Sequence, residues 1–148
     1  MSLILKIPEI LWQEILDHLQ TDSPREGCGL LGGDREGVKS HYPGTNIYEN
    51  PHKGYRLDPH DQFRIMKEMR QKKEELLAIY HSHPQGPPEP SPTDLELAYS
   101  PEVYNLIISL SRPEYPLVRN YRYQNGKAME FPLMIGNKYY ETDPRDME

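Results

Sequence analysis

The stretch Leu76–Tyr99, LLAIYHSHPQGPPEPSPTDLELAY, decides the fold that we expect for this chain of 148 residues. It opens with an apolar run of the length typical of a buried strand. His81 and His83 come next. Residues two apart in an extended chain point to the same face, so both imidazoles are predicted to project from one side of the strand at its end. After a proline-rich loop, Ser91 is predicted to be the N-cap of a helix, and Asp94 is predicted to lie in the first turn of that helix.

This arrangement predicts a cation site. Two imidazoles and a carboxylate can surround one divalent cation and leave a fourth position open, which is the pattern of a catalytic zinc site. The histidine pair alone is weak evidence, because paired surface histidines are common. Asp94 is also explained as an acid at a helix N-terminus. The prediction therefore depends on the combined spacing, together with Glu26 on an upstream predicted strand.

The combined spacing resembles the JAMM motif of the MPN-domain zinc metalloproteases. That motif is an upstream Glu followed by H-x-H-x(7)-S-x-x-D, and Glu26, His81, His83, Ser91 and Asp94 match it without a gap. The segment REGCGLLGG around Glu26 is similar to the corresponding strand of small stand-alone bacterial members of the family. The resemblance implies an α/β (α+β) fold, a three-layer sandwich in which helices flank a curved mixed β-sheet, as in cytidine deaminases.

The resemblance also implies the roles of the site residues. His81, His83 and Asp94 would bind one Zn²⁺ per chain, Glu26 would be the general base, and Ser91 would stabilise the oxyanion. The implied activity is that of a zinc-dependent (iso)peptidase, which hydrolyses an amide bond after the C-terminal Gly-Gly of a ubiquitin-like or sulfur-carrier protein. The short chain is more similar to the sulfur-carrier hydrolases than to the eukaryotic deubiquitinases.

Alternative functions stay open beside this one. One is a deubiquitinase-type isopeptidase acting on ubiquitin chains, and another is a non-catalytic MPN-type interaction module, although such modules typically lose the Glu or a metal ligand. A cytidine deaminase is excluded, because its signature needs H-x-E and a Cys-x-x-Cys pair, and this chain has one cysteine. A homodimer is an open option.

Composition sets the remaining bounds. The length predicts a single domain, which we assign to 1–136, followed by a polar tail over 137–148. A net charge of −6 argues against binding to nucleic acid. The chain has no apolar run long enough to span a bilayer, no signal-peptide pattern, and one cysteine, so we expect a cytoplasmic protein without a membrane partner.

Periodicity predicts the order of the elements. Strands are expected over 3–7, 25–33, 37–46, 76–80, 103–109, 117–123 and 128–135, and helices over 8–20, 58–73 and 93–99. The last two strands should form a hairpin through an Asn-Gly turn. On the second helix, the residues expected in the core are Phe63, Met66 and Met69.

Three features outside the motif receive structural interpretations. Cys28 is interpreted as a small buried apolar residue, because the sequence shows no positive neighbour that would activate its thiol. Residues 42–57 are expected to be an irregular loop, in the region that helps hold the substrate in the resembled family. Surface or capping positions are expected for the histidines that lack metal-ligand spacing, which are His41, His52 and His60.

Overall fold

A computed structural model describes residues 3–96, 98 and 100–141 of the chain. Its elements in chain order are β1 (Leu5–Ile7), α1 (Glu9–Asp22), β2 (Cys28–Asp34), β3 (Gly37–Pro43), α2 (Pro59–Gln71), β4 (Glu75–His83), α3 (Pro92–Glu96), β5 (Tyr104–Ser109), β6 (Leu117–Gln124), β7 (Lys127–Phe131), β8 (Leu133–Ile135) and β9 (Lys138–Tyr140). None of the helices in the described ranges is both long enough and apolar enough to cross a membrane.

Six of the strands form one mixed sheet in the order β3-β2-β4-β5-β6-β7. Its central pair, β4 and β5, is parallel, and its other pairs are antiparallel. The parallel pair needs a crossover connection, and the segment that contains α3 supplies it. The predicted mixed sheet with flanking helices is confirmed.

Successive side chains along a strand point to opposite faces of this sheet, so each face carries its own hydrophobic cluster. Leu31 and Tyr80 belong to the cluster that includes the buried residues of α1, whereas Leu30 and Ile79 pack with those of α2. His81 and His83 have the same parity as Ile79, so they lie on the α2 side of the sheet. The two predicted histidine ligands therefore lie at the end of the central strand β4, on the side that α2 covers.

The closing hairpin differs from the prediction at Pro132. Residues 128–135 are not one strand, because Pro132 has no N–H to donate to the ladder and the strand breaks there. β7 pairs with β6 through the expected Asn-Gly turn, but β8 leaves the large sheet and pairs in parallel with β1. The Pro132 carbonyl accepts a hydrogen bond from the Leu5 amide at 3.3 Å at the junction.

The segment assigned to a polar tail, 137–148, begins with ordered structure. Lys138–Tyr140 is strand β9, which pairs antiparallel with β8 and completes a three-stranded sheet. Gly136 has φ +58° in the turn between them, a backbone conformation that suits glycine. The rest of the predicted tail, 142–148, lies outside the described residues.

The buried face of α2 also differs from the prediction. Phe63 is 75% exposed, whereas Ile65 is fully buried together with Met69. Residues two apart on a helix are separated by about 200°, so the face that buries Ile65 turns Phe63 towards solvent. Met66 packs at the edge of the core as expected. Asp58 caps this helix, because its side chain accepts a hydrogen bond from the amide of His60.

The helix of the motif is short. α3 covers Pro92–Glu96, and of its predicted extension to residue 99, Leu97 and Tyr99 lie outside the described residues. Leu95 packs against the buried cluster of Ile107, Tyr121 and Tyr123 on the neighbouring strands.

Candidate metal centre

Four of the five motif residues meet in one buried cluster. Ligand atoms of Glu26, His81, His83 and Asp94 all lie within 4.8 Å of one another, and each of these residues is at most 9% exposed. The pairing of β2 with β4 explains why Glu26 is included. Cys28 is opposite His81, and the same register continued by two residues brings Glu26 opposite His83.

The side chains of His81, His83 and Asp94 approach one another at distances close to those between the ligands of a tetrahedral metal ion. The two Nε2 atoms of His81 and His83 are 3.1 Å apart. His81 Nε2 is 3.2 Å from Asp94 Oδ1, and His83 Nε2 is 3.1 Å from Asp94 Oδ2. Ligands at about 2.0–2.1 Å from a tetrahedral zinc ion lie about 3.3 Å from one another. These donors therefore fit a common cation, and neutral imidazole nitrogen with carboxylate oxygen is a donor set that suits zinc.

The proline-rich loop orients one of the imidazoles. Nδ1 of His83 is 2.8 Å from the carbonyl oxygen of Pro87, and because a carbonyl only accepts, Nδ1 carries the proton. In the neutral ring, Nε2 then presents its lone pair to the cluster. A second hydrogen bond of this kind is typical of metal-binding histidines. On His81, Nδ1 is buried without a hydrogen-bond partner among the described residues.

The charges of the cluster are set by burial and by its internal hydrogen bonds. Burial opposes ionisation of Asp94, but the interactions of its carboxylate with the imidazoles of His81 and His83 outweigh burial and hold the pKa of this carboxyl well below its usual range. Burial lowers the pKa of His81. For His83 burial acts in the same direction, yet the hydrogen bonds to Asp94 and Pro87 outweigh it and raise the pKa. Asp94 is thus ionised at neutral pH, the form in which a carboxylate can bind a metal ion.

Glu26, like His81, has a buried side-chain atom without a hydrogen-bond partner among the described residues. Its Oε1 is buried and has no hydrogen-bond partner in the described structure. Burial raises the pKa of Glu26 to about 7, so the carboxyl can both take up and release a proton near neutral pH. Glu26 and His83 also line a cleft of about 360 Å³, together with Ser91 and the proline-rich loop.

Ser91 lies beside the cluster and caps α3. Its Oγ accepts a hydrogen bond from the Asp94 amide at 3.1 Å, and the Ser91 amide donates to Asp94 Oδ2 at 2.9 Å. This reciprocal capping arrangement fixes the Asp94 carboxylate in place. The Ser91 hydroxyl keeps its own proton for donation, because a hydroxyl can accept and donate at once.

The loop 42–57 contributes side chains that the sequence did not single out. The ring of Tyr55 stacks on His81 with a centroid distance of 4.3 Å and an interplanar angle of 22°. The Asn46 side chain donates hydrogen bonds to the backbone carbonyl of Glu26 and to that of Gly54, which precedes Tyr55. His52 lines the cleft beside Glu26. The only signal in the sequence was the family resemblance, which pointed to this region without naming its residues.

The expectations for the other histidines and for Cys28 have separate outcomes. His60 is exposed in the first turn of α2, and His52 is exposed at the cleft. The surface prediction for His41 is wrong, because its side chain is only 4% exposed and its Nε2 is 2.6 Å from the Tyr80 hydroxyl. Cys28 is fully buried, as expected, and burial raises the pKa of its thiol to about 12.

Sequence comparisons find relatives with named activities. Residues 8–124 match the model of a family described as prokaryotic homologs of the JAB domain. The CysO-cysteine peptidase of Mycobacterium tuberculosis is 32% identical over 138 residues, which cover 92% of this chain and 94% of that protein. A probable TtuB-protein conjugate cleaving protease of Thermus thermophilus is 41% identical over 97 residues, 66% of this chain and 65% of that protein. A desampylase of Haloferax volcanii is 37% identical over 101 residues, 64% of this chain and 73% of that one.

Structural comparisons agree with the sequence comparisons. A solution structure of a protein from Desulfitobacterium hafniense has a TM-score of 0.80 and 30% identity, and the match covers 98% of each chain. A JAB1/MPN domain protein from Archaeoglobus fulgidus has a TM-score of 0.57 and 20% identity, over 88% of this chain and 95% of that chain. The second match supports the fold alone.

Proposed function

This chain belongs to the family of prokaryotic homologs of the JAB domain, and from this premise we propose that it is a zinc-dependent peptidase of the JAMM type. The proposed substrate is an amide bond after the C-terminal Gly-Gly of a ubiquitin-like or sulfur-carrier protein. The family match confirms the resemblance that the motif predicted. The relatives are named as peptidases or desampylases, which confirms the prediction of a JAMM-type hydrolase.

The observation that carries the proposal is the buried cluster itself. Nε2 of His81, Nε2 of His83 and the Asp94 carboxylate would hold the zinc ion, since they have the separations and the chemistry of a catalytic zinc site. A zinc ion held there would supply the Lewis acidity that makes water acidic near neutral pH. The protein's own groups perform the remaining steps.

Glu26 would act as the general base and then as the general acid. It would accept a proton from water as the water attacks the scissile carbonyl carbon, and it would deliver that proton to the leaving amine. A pKa of about 7 suits both transfers. The Ser91 hydroxyl would donate a hydrogen bond to the oxyanion that develops on the carbonyl oxygen.

The substrate class is supported by the names of the relatives and by the narrowness of the centre. Those names include a CysO-cysteine compound and TtuB-protein conjugates. Glu26 and the ligands are nearly inaccessible to solvent, so the scissile bond has to reach them through the cleft. A diglycine tail has no side chains and can enter such a narrow space as an extended strand.

The test is to incubate the zinc-loaded protein with a sulfur-carrier–cysteine adduct and, separately, with diubiquitin, each with and without chelator. We expect chelator-sensitive cleavage of the adduct. Cleavage of diubiquitin alone would assign the protein to the deubiquitinase-type alternative. Stoichiometric zinc without cleavage of any diglycine conjugate would favour a non-catalytic interaction module.

Two substitutions test the assigned roles. Glu26→Gln should bind zinc like the wild type and lose about 10²–10⁴-fold in kcat, because the amide cannot transfer the proton. Asp94→Ala should lose the zinc itself, which metal analysis of the dialysed protein measures. Normal turnover by Glu26→Gln would remove Glu26 as the base, and full zinc occupancy in Asp94→Ala would remove Asp94 from the ligands.

A further inference from the structure

Asn46 uses the full hydrogen-bonding capacity of its side-chain amide, which has two donor hydrogens and one oxygen with two lone pairs. Its Nδ2 donates to the carbonyl oxygen of Glu26 at 2.9 Å and to that of Gly54 at 3.0 Å. Its Oδ1 accepts from the amides of Tyr48 and Arg56, each at 2.9 Å. Four bonds from one half-buried side chain indicate a fixed structural position.

The Oδ1 atom of Asn46, which is the acceptor of the side-chain amide, joins the two arms of the loop 42–57. Tyr48 and Arg56 lie on opposite arms of the loop, and the Ile47 amide also donates to the Arg56 carbonyl at 2.8 Å. An isolated β-bridge between Asn46 and Leu57 completes the closure. The loop predicted to be irregular is therefore a compact, internally bonded segment.

The Nδ2 atom of Asn46, which is the donor of the side-chain amide, binds the backbone of Glu26, the proposed base. Glu26 lies just before β2 begins at Cys28, so it is outside the regular ladder of that strand. Both backbone hydrogen bonds that the structure records for Glu26 go to this loop, from its amide to the Pro51 carbonyl at 2.7 Å and from the Asn46 amide to its carbonyl. Among the described residues, the Oε1 atom of Glu26 has no hydrogen-bond partner that would hold the side chain in addition.

The same amide also binds the segment that packs against His81, one of the proposed metal ligands. Gly54 precedes Tyr55, whose ring stacks on His81. Asn46 thus ties the backbone of the base to the segment that packs against one proposed ligand. We propose that Asn46 is a positioning residue, whose amide sets the distance between the Glu26 carboxyl and the His81–His83–Asp94 cluster. This inference rests on the proposed function.

Asn46→Asp tests the donor half separately. The substitution keeps an oxygen that can accept from Tyr48 and Arg56, but it replaces the donor with a second oxygen facing the carbonyl oxygens of Glu26 and Gly54. Asn50→Asp is the matched control, because Asn50 is an exposed residue of the same loop and its substitution introduces the same charge.

The first readout is independent of activity. Amide hydrogen exchange measured by NMR should show faster exchange of the Glu26 amide in Asn46→Asp by at least about tenfold, with no change at Leu106 in β5 or in Asn50→Asp. In the wild type, the Glu26 amide should exchange at rates similar to those of Tyr48 and Arg56, because all three depend on the same opening of the loop. A Glu26 amide as protected as those of the central strands would overturn the inference.

The second readout is kinetic. Asn46→Asp should bind stoichiometric zinc and keep the wild-type KM, whereas its kcat falls by roughly 10²-fold, because a small misplacement of a catalytic group is costly. Wild-type kcat in this variant contradicts the inference, as does a loss that parallels a loss of zinc or a global rise in exchange. If the wild type cleaves neither conjugate, the proposed function fails, while the exchange readout still decides whether Asn46 holds Glu26.

Discussion

At the scale of single residues, burial decides which titratable groups can take part in chemistry. Glu26 and Cys28 are close in sequence and both buried. Burial raises the pKa of the Cys28 thiol to about 12, so it stays protonated and unreactive, whereas the pKa of Glu26 reaches only about 7. The same physical effect therefore leaves the thiol inert and tunes the carboxyl for proton transfer at neutral pH.

The exposure of Phe63 and the burial of Ile65 give a prediction at this scale. Ile65→Ala should lower the free energy of unfolding by about 2–5 kcal/mol, because it opens a cavity in the core under α2. Phe63→Ala removes a larger side chain from the same helix but should change stability by less than about 0.5 kcal/mol. Urea unfolding of the two variants measures both values. A larger cost for Phe63→Ala would reverse the assigned face of α2.

At the scale of elements, the turn between β6 and β7 depends on backbone conformation alone. Asn125 and Gly126 have φ +55° and +73°, as an Asn-Gly hairpin turn requires. An added Cβ at Gly126 would have no neighbouring atom within 4 Å, so a substitution there introduces no collision. Any loss of stability on substitution of Gly126 therefore measures the cost of the positive φ angle for an L-residue.

Gly126→Ala should therefore cost about 1 kcal/mol in the free energy of unfolding, which is the penalty for placing an L-residue in the left-handed region. Gly86→Ala is the matched control. Its added Cβ meets only His83 Cβ at 3.8 Å, an ordinary contact, and Gly86 has no positive φ. Thermal unfolding of the two variants should separate them, and equal stability would show that the turn tolerates an L-residue.

At the scale of the whole molecule, the proposed zinc ion joins parts of the chain that meet only in the folded state. His81 and His83 end the central strand β4, and Asp94 belongs to α3 beyond the proline-rich loop. The unfolded chain does not present these ligands together. Binding of the ion therefore favours the folded state.

Removal of zinc should lower the stability of the whole domain. With free zinc at about 100 times its Kd, binding adds about 2.7 kcal/mol to the free energy of unfolding, and a chelator should abolish this gain. Calorimetry with and without chelator measures the shift in Tm. Asp94→Ala provides the control, because its Tm should not respond to chelator. A wild-type Tm that ignores zinc would argue against the proposed ligands.

The sequence by itself determined the features that depend on near neighbours in the chain. The two-residue spacing of His81 and His83 placed both imidazoles on one face, and Ser91 capped α3 as its pattern predicted. The apolar stripe of α1 also lies in the core as its period indicates. Hydrophobic periodicity and capping act over a few residues, so they can be read from the chain directly.

Only the tertiary structure decided the contacts between distant segments. Asn46 meets Glu26 across 20 positions of the chain, and His41 is buried against Tyr80 across 39. The departure of β8 from the large sheet depends likewise on the position of β1. Such contacts follow from how the sheet and the loops pack against each other, and a single sequence carries no local pattern that specifies them.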